Sequence, residues 1–468
     1  MTLNIIKMKK KLLFIIVTLG IAATGCQKFL DVNKDPNNPL NVQEALLLPP
    51  IEQNVSDNIQ GGNASINVQN YLQNIAPNQL NPGIWNYQSF NVDFDGDWNA
   101  FYVICLNNLK ILNDKATTNK KWNYAAISKI LTAYTLGTAT DYWGDIPYSK
   151  AFNASNFLVP YDSQESIYNT IQSLLTAAID DIDQNSATVP GGDDFLYNGD
   201  MGKWRKAALS LKARYFMHLT KAPGHTAATQ SDSVLNVLGG AMASNDDDLK
   251  FSYGGETGSE NIWNLTFSPV TTYVLNETLI ETLKQRNDPR LPLIALKAEG
   301  TGKYTGRRIG APTADLTTYS YPNNFYGGTS SSNYLITYTE SLFLEAEALI
   351  RKSGVAAAQP VYVNAINSNM SKMGLDTLSA AATTYVASRA LTAQNGLQRI
   401  IEEKAMANLF NFETWTDWRR TGYPALVKVD GALSEIPRRI LYPNSEILTN
   451  PQAQQSAKLT DRVWWDVQ

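Results

Sequence analysis

Five stretches of this chain repeat their apolar residues at helical spacing, and the intervals between them lose that period altogether. Ile127, Ile130, Leu131 and Tyr134 share one face. So do Ile167, Ile171, Leu174, Leu175, Ala178 and Ile182, on a helix whose start is marked by Asp162 or Ser163. Trp204, Ala208, Leu211, Tyr215 and Leu219 form a third stripe. Tyr338, Leu342, Ala346 and Leu349 form a fourth, and Leu397, Ile401, Ala405, Leu409 and Phe412 a fifth. A stripe spaced at 3.6 residues marks a helix that buries one face against a neighbour. The chain is therefore expected to be mainly α.

Helix pairs prompt a search for repeats. Leu136-Gly137, Gly144 and Ala151 partly follow the first helix and turn of a tetratricopeptide repeat, and Leu344, Gly354 and Ala365 echo it weakly. No clean period is visible. The expected architecture is a scaffold of degenerate tetratricopeptide-like helix pairs with long irregular loop inserts. The inserts fall near residues 77–99, 244–272 and 300–334, which are rich in Asn, Gly, Ser, Thr, Pro and aromatics. Loops of this length are usually functional or disordered. Their Trp, Tyr and Phe content argues against disorder.

Composition removes several functions. With 39 basic against 43 acidic side chains, the chain lacks the basic footprint that nucleic acid demands, so no nucleic-acid partner is expected. Two cysteines and two histidines are too few for a disulfide framework or a Cys/His metal centre. Cys105 sits in the apolar run Phe101–Leu106 and reads as a small buried hydrophobe. His218 and His225 have no triad context, there is no G-x-S-x-G, and Gly302-Lys303 lacks the rest of a P-loop. Asp93-Phe94-Asp95-Gly96-Asp97 begins like a calcium loop, but its Gly is fourth and its twelfth position is Ile104, so it is not an EF-hand. It reads as an acidic turn capping the helix that starts near Trp98. No catalytic residue, metal or cofactor is expected, with a non-EF calcium site at this turn as the alternative. A glycoside hydrolase needs only two suitably spaced carboxylates. Sequence alone cannot forbid that pair, so a surface hydrolase stays open, as does a scaffold without ligand.

The N-terminus speaks to location. Lys7, Lys9, Lys10 and Lys11 precede the uncharged run Leu12–Ala23, and Ala23-Thr24-Gly25-Cys26 follows. The run is shorter than the roughly 20 residues of a membrane span. Its layout is that of a secretory signal, and small residues ending on a cysteine resemble a bacterial lipobox. Residues 1–25 are expected to be removed, from a start at Met1 or Met8, leaving Cys26 as the lipid-bearing residue. Four lysines leave with them, which deepens the net charge from −4 to −8. Residues 26–40 carry Asp35-Pro36-Asn37-Asn38-Pro39 and read as an extended tether. Residues 41–468 form the single folded domain.

Several blocks together carry a resemblance. They are Cys26 followed by Phe29-Leu30-Asp31-Val32-Asn33 and Asp35-Pro36-Asn37, then Tyr142-Trp143-Gly144-Asp145-Ile146-Pro147-Tyr148, then Arg286-Asn287-Asp288-Pro289-Arg290. Tyr338-Thr339-Glu340 with Glu345-Ala346-Glu347-Ala348, and Asp417-Trp418-Arg419-Arg420-Thr421-Gly422-Tyr423-Pro424, complete the set. In this order they resemble the SusD/RagB outer-membrane lipoproteins of Bacteroidetes, most of all the subgroup with an Asn-x-Asp-Pro-Asn start. The resemblance implies a helical scaffold whose loops bind a glycan or other nutrient without catalysis. It implies a lipid anchor in the outer membrane facing the cell exterior, and a SusC-like TonB-dependent barrel as partner.

Sugars offer CH-rich faces to aromatic rings and hydroxyls to amides and carboxylates. Two stretches suit that need. The first is Trp85, Asn86 and Tyr87, continuing to Asp97 and Trp98; the second is Tyr319, Tyr321, Asn323, Asn324, Phe325 and Tyr326. Trp263 in the third insert is a further candidate. The Trp415–Pro424 block reads as structural, with Asp417 pairing an arginine, guanidinium on indole, and the helix stopped by Gly422 and Pro424.

Overall fold

The computed structural model describes residues 42–468 except 154, 156, 157, 269–272, 454 and 468. The signal, Cys26, the tether and the Asn33–Asn37 block lie outside the described residues. The described chain begins with α1 (Glu44–Asn54) and α2 (Asn63–Tyr71). The principal helices that follow are α3 (Asn107–Thr118), α4 (Trp122–Trp143), α5 (Gln164–Ile182), α6 (Met201–His218) and α7 (Ala227–Leu238). After a stretch of short elements come α8 (Tyr338–Ser353), α9 (Val355–Lys372), α10 (Gly396–Ala407) and α11 (Glu413–Thr421).

Consecutive helices pack as pairs, α3 on α4, α4 on α5, α5 on α6, α6 on α7 and α8 on α9. The central member is α4, buried along nearly its whole length, as a helix apolar on most sides must be. Its Gly137 lets α6 approach closely: a Cβ there would meet the Tyr215 ring at 2.3 Å. Ser163 is the cap of α5, its hydroxyl accepting from the Ser166 amide at 3.2 Å. Thr337 caps α8 in the same way, accepting from Glu340 N at 3.1 Å, a bond worth about 1 kcal/mol. The expected stripes are mostly buried, with Leu174, Ile182, Tyr338, Leu349 and Leu397 half-buried, and Leu219 falls just past α6 and Leu409 and Phe412 past α10.

The inserts are more ordered than expected. β1 (Ile75–Pro77) pairs antiparallel with β3 (Tyr273–Leu275), Ile75 opposite Leu275. β2 (Leu249–Ser252) pairs antiparallel with β4 (Ser332–Ile336), with an irregularity at Leu249/Lys250. Short helices at Ile262–Phe267 and Asn324–Gly327 sit inside the second and third inserts. The acidic turn opens a short helix, Asp95–Trp98, which runs through the π-helical Asn99–Leu106 into α3. Each strand is only three to five residues long, and side-chain bonds to backbone compensate for the short ladders.

The helices that carry the signature blocks meet in a buried ionic hub. Arg214 on α6 clasps both oxygens of Glu340 on α8 at 2.7 Å. Lys404 on α10 reaches Glu413 at 3.0 Å and Asp417 at 2.9 Å. Arg420 on α11 clasps Glu347 at 2.5 Å and bonds Asp417 at 2.7 Å. The Arg419 guanidinium lies 3.5 Å from the Trp415 ring and 4.7 Å from Trp465, and Gly422 ends α11 with a left-handed φ of 81°. His218 is buried here, between Tyr168 and Glu413. A second hub centres on Arg290, which bonds Asp288, Asn369, Tyr385 and Glu403. Burying charge costs several kcal/mol per ion unless every partner is in place, so these hubs lock the helices in one arrangement.

Candidate ligand-binding site

Three irregular segments converge beyond the end of β1. The first is residues 78–88. Asn78 exchanges two hydrogen bonds with the backbone of Ala314, donating at 2.6 Å and accepting at 3.1 Å. The second segment, residues 307–319, is organised by the buried Arg307. Its guanidinium donates to the carbonyls of Pro77, Ala311 and Pro312 at 2.8–2.9 Å and to the Tyr319 hydroxyl at 3.2 Å. Tyr319 also stacks its ring 5.6 Å from that guanidinium.

The third segment, residues 427–433, was not anticipated. Asn81 donates to Asp430 O at 3.2 Å, and Asn86 donates to Gly431 O at 2.7 Å. Gly310, at φ 85°, brings the second segment against the third: a Cβ there would lie 2.8 Å from Asp430 O. The usable signal was the Asp430-Gly431 dipeptide, a turn marker.

Trp85 lies partly exposed at this junction. Its ring folds over Gly83, where a Cβ would meet it at 2.4 Å, and its indole N–H donates to Asn81 Oδ1 at 3.0 Å. The three segments also carry the exposed Leu80, Val427 and Leu433, and the exposed Arg308–Asp430 pair at 3.2 Å. The junction thus offers one oriented indole, aliphatic surface and a charged pair. That combination can hold an apolar-faced, hydroxyl-rich ligand.

A family model described as starch-binding and associating with outer membrane matches residues 36–443. The chain belongs to the SusD-like family. Its members are non-catalytic binding proteins, so the hydrolase reading falls away. No curated protein sequence matches. Among solved structures, a SusD/RagB protein from Bacteroides thetaiotaomicron superposes with a TM-score of 0.79 at 22% identity, covering 91% of this chain and 99% of that one. A SusD homologue from Bacteroides fragilis gives 0.74 at 22% identity, over 91% and 99%. A chitin-binding SusD homologue from Flavobacterium johnsoniae gives 0.74 at 23% identity, over 89% and 98%. The chain is thus a mainly helical, glycan-binding SusD-like protein associated with the outer membrane.

In this SusD-like protein the expected ligand residues separate into three places. Trp85, Asn86, Tyr87 and Tyr319 gather at the junction. Asn86 and Tyr87 are buried there and hold the turn: Asn86 accepts from Gly83 N at 2.7 Å, and Tyr87 adopts φ 73°. Trp263, Tyr321, Phe325 and Tyr326 belong instead to the apolar cluster around Phe410. Trp263 stacks on Phe410 at 4.7 Å, and Tyr326 meets the same ring edge-on at 5.5 Å. Asn323 caps the short helix Asn324–Gly327 and donates to Pro292 O at 2.7 Å, while Asn324 is exposed. Asp97 and Trp98 lie in a third place. Asp97 is buried and accepts from the Tyr142 hydroxyl at 2.8 Å; burial raises its carboxyl to about 7. The neighbouring acidic residues turn elsewhere, Asp93 to Phe90 N and Asp95 to Ser445. The described residues contain no cluster of three or more metal-ligating side chains.

Proposed function

We propose that this protein is a lipid-anchored, cell-surface subunit that captures an oligosaccharide at the junction of residues 78–88, 307–319 and 427–433. It then delivers that ligand to a SusC-like TonB-dependent barrel. The observation that carries the reading is Trp85: a partly exposed indole held in one orientation by Asn81 and Gly83, on a junction whose segments also carry exposed aliphatic and charged residues. An immobilised ring loses little entropy when a sugar stacks on it. The Cys26 lipobox and tether support the anchor, and the Asn33–Asn37 block supports a reading within the Asn-x-Asp-Pro-Asn subgroup. The chitin-binding homologue makes chito-oligosaccharides the first ligands to try, with malto-oligosaccharides beside them.

The test is isothermal titration of the purified lipoprotein in detergent with both series, followed by chromatography of the recovered sugar. Binding without cleavage is expected, and Trp85→Ala should weaken it about tenfold, or about 1.4 kcal/mol, with an unchanged melting curve. Affinity that survives the substitution moves the site elsewhere; shortened products refute a binding role.

A further inference from the structure

α1 is a helix with a weakened backbone. Pro49 and Pro50 lie inside it, and each removes an N–H from the helical ladder. Its hold on the body therefore leans on side chains. The most deeply buried polar one is Glu52, 0% exposed. Glu52 meets the turn of residues 191–199, which leads into α6.

That turn is built around the buried Asp194. Leu196 N and Tyr197 N donate to its Oδ1 at 3.1 and 3.0 Å, and Gly199 N and the Trp204 indole donate to its Oδ2 at 2.9 and 2.8 Å. Gly199 holds φ at 80°, and a Cβ there would lie 2.0 Å from Pro190 O, so only glycine brings its amide to the carboxyl in this way. Four N–H groups aimed at one carboxyl mark it as an ionised acceptor.

Glu52 has different surroundings. Its Oε2 accepts from Phe195 N at 2.7 Å, while its Oε1 is buried and receives no donor. Within hydrogen-bond reach of the Glu52 carboxyl stands the Asp194 carboxyl, and the other charged group acting on it is Asp193, acidic as well. Asp193 is itself taken, accepting from Gly191 N at 2.9 Å and from the Tyr124 hydroxyl of α4 at 2.7 Å. The start of α6 presents the Trp204 indole, already turned to Asp194.

Two carboxylates in contact and out of water cannot both stay ionised. One proton on Glu52 explains both observations, because a neutral carboxyl has an O–H to give and Asp194 beside it accepts. Burial, and then the Asp194 charge, push the Glu52 carboxyl well above the usual carboxylate range, the direction that this geometry requires. We propose that Glu52 and Asp194 form a proton-sharing latch: neutral Glu52 donates to Asp194 and clamps α1 to the 191–199 turn, and loss of that proton releases the turn. The latch is separate from the Trp85 junction and does not depend on what that junction binds. Its contribution to stability is complete below the ordinary value of 4.5 and is lost as pH rises through the raised one.

The test compares the intact lipoprotein in detergent with its Glu52→Gln variant. Glutamine carries no titrating proton, yet it offers Asp194 an N–H and Phe195 an acceptor. In urea unfolding from pH 5 to pH 8, the parent's folding equilibrium constant should fall against the variant's by about tenfold per pH unit, for as long as Glu52 is protonated in the folded state alone. Asp97 and the other carboxyls are common to both proteins and cancel. Hydrogen exchange at the Phe195 amide, relative to the variant at the same pH, should quicken as pH rises. The infrared spectrum of the parent minus that of the variant at pH 6 should contain the C=O band of a neutral carboxylic acid. A ratio of equilibrium constants that does not change with pH overturns the proposal. So does a difference spectrum without that band, or exchange at Phe195 that never outpaces the variant. A Glu52→Gln variant that fails to fold overturns it too, because glutamine supplies the donor that the neutral acid supplies.

Discussion

Replacing Arg420 by Met tests whether the ionic hub holds the scaffold together. Arg420 is about 1% exposed and donates to both oxygens of Glu347 and to Asp417. Methionine keeps apolar volume but leaves two carboxylates facing fewer cations: Glu347 retains Arg351 at 2.8 Å, and Asp417 retains Lys404 at 2.9 Å. Removing one member of a buried pair costs about 3–5 kcal/mol. At about 2.1 cal/mol/K per residue, a body of about 420 residues melts with an entropy near 0.9 kcal/mol/K, so the loss corresponds to about 3–6 °C. The pH dependence carries the same information. Burial by itself would raise Glu347, but Arg420 and then Arg351 override it and hold the carboxyl at about 2. A shift from 4.5 to about 2 corresponds to about 3 kcal/mol. That stability is present above pH 4.5 and is lost as pH falls through 2. Without Arg420 the carboxyl rises, so the variant should lose stability at a higher pH on acidification. Urea unfolding followed by tryptophan fluorescence at pH 7 and pH 4 measures both effects. Pairing Arg420→Met with Glu347→Leu should restore part of the loss, because no unpaired Glu347 charge then remains. An Arg420→Met variant within 1 kcal/mol of the parent at pH 7, with a superimposable pH profile, would refute the reasoning.

Asp97→Asn should behave oppositely. Burial raises Asp97 to about 7, so this group's contribution to stability is greatest below pH 3.8 and up to about 4 kcal/mol of it is lost as pH rises through 7. The variant should gain on the parent between pH 5 and pH 8 in urea titrations, and parallel profiles would count against it. Cys105 is buried, and burial raises its thiol well above the usual range. It should react with a disulfide reagent only after denaturation, and fast labelling of native protein would contradict this. Arg307→Lys keeps the charge but supplies at most three donors from one nitrogen in place of a planar fork. It should cost about 2 kcal/mol and weaken sugar binding at the junction; unchanged affinity in titration would show that the loops hold their form without that fork.

Much of the scaffold was legible because helical stripes are local. Ile127 to Tyr134 and Ile167 to Ala178 announce their buried faces by spacing alone. The inserts were harder. β1 and β3 are three residues each and lie nearly 200 positions apart, so no window along the chain contains both. Aromatic content pointed correctly to ordered inserts but could not distribute the rings. Trp263 and Tyr326 look as available as Trp85 in the sequence, yet Phe410, more than 80 positions away, draws both into a core. The third segment at the junction was missed because it is tied in mainly through backbone: Asp430 and Gly431 accept through their carbonyls.

That last point explains how the two halves of the molecule differ. The hubs join side chain to side chain, Arg420 to Glu347 and Arg290 to Glu403, so each member constrains the identity of the other. The junction joins mostly side chain to backbone, with the exposed Arg308–Asp430 pair beside those bonds. Asn78 reads Ala314, Asn81 reads Asp430, Asn86 reads Gly431, and Arg307 reads Pro77, Ala311 and Pro312, all through main-chain groups. A carbonyl is offered by every residue type, so the side chains at these positions can change while the loop keeps its path. Recognisable blocks therefore accumulate in the hubs, where they report fold. The residues proposed to face a ligand sit on a frame that places few demands on their identity, and a motif search reaches them last.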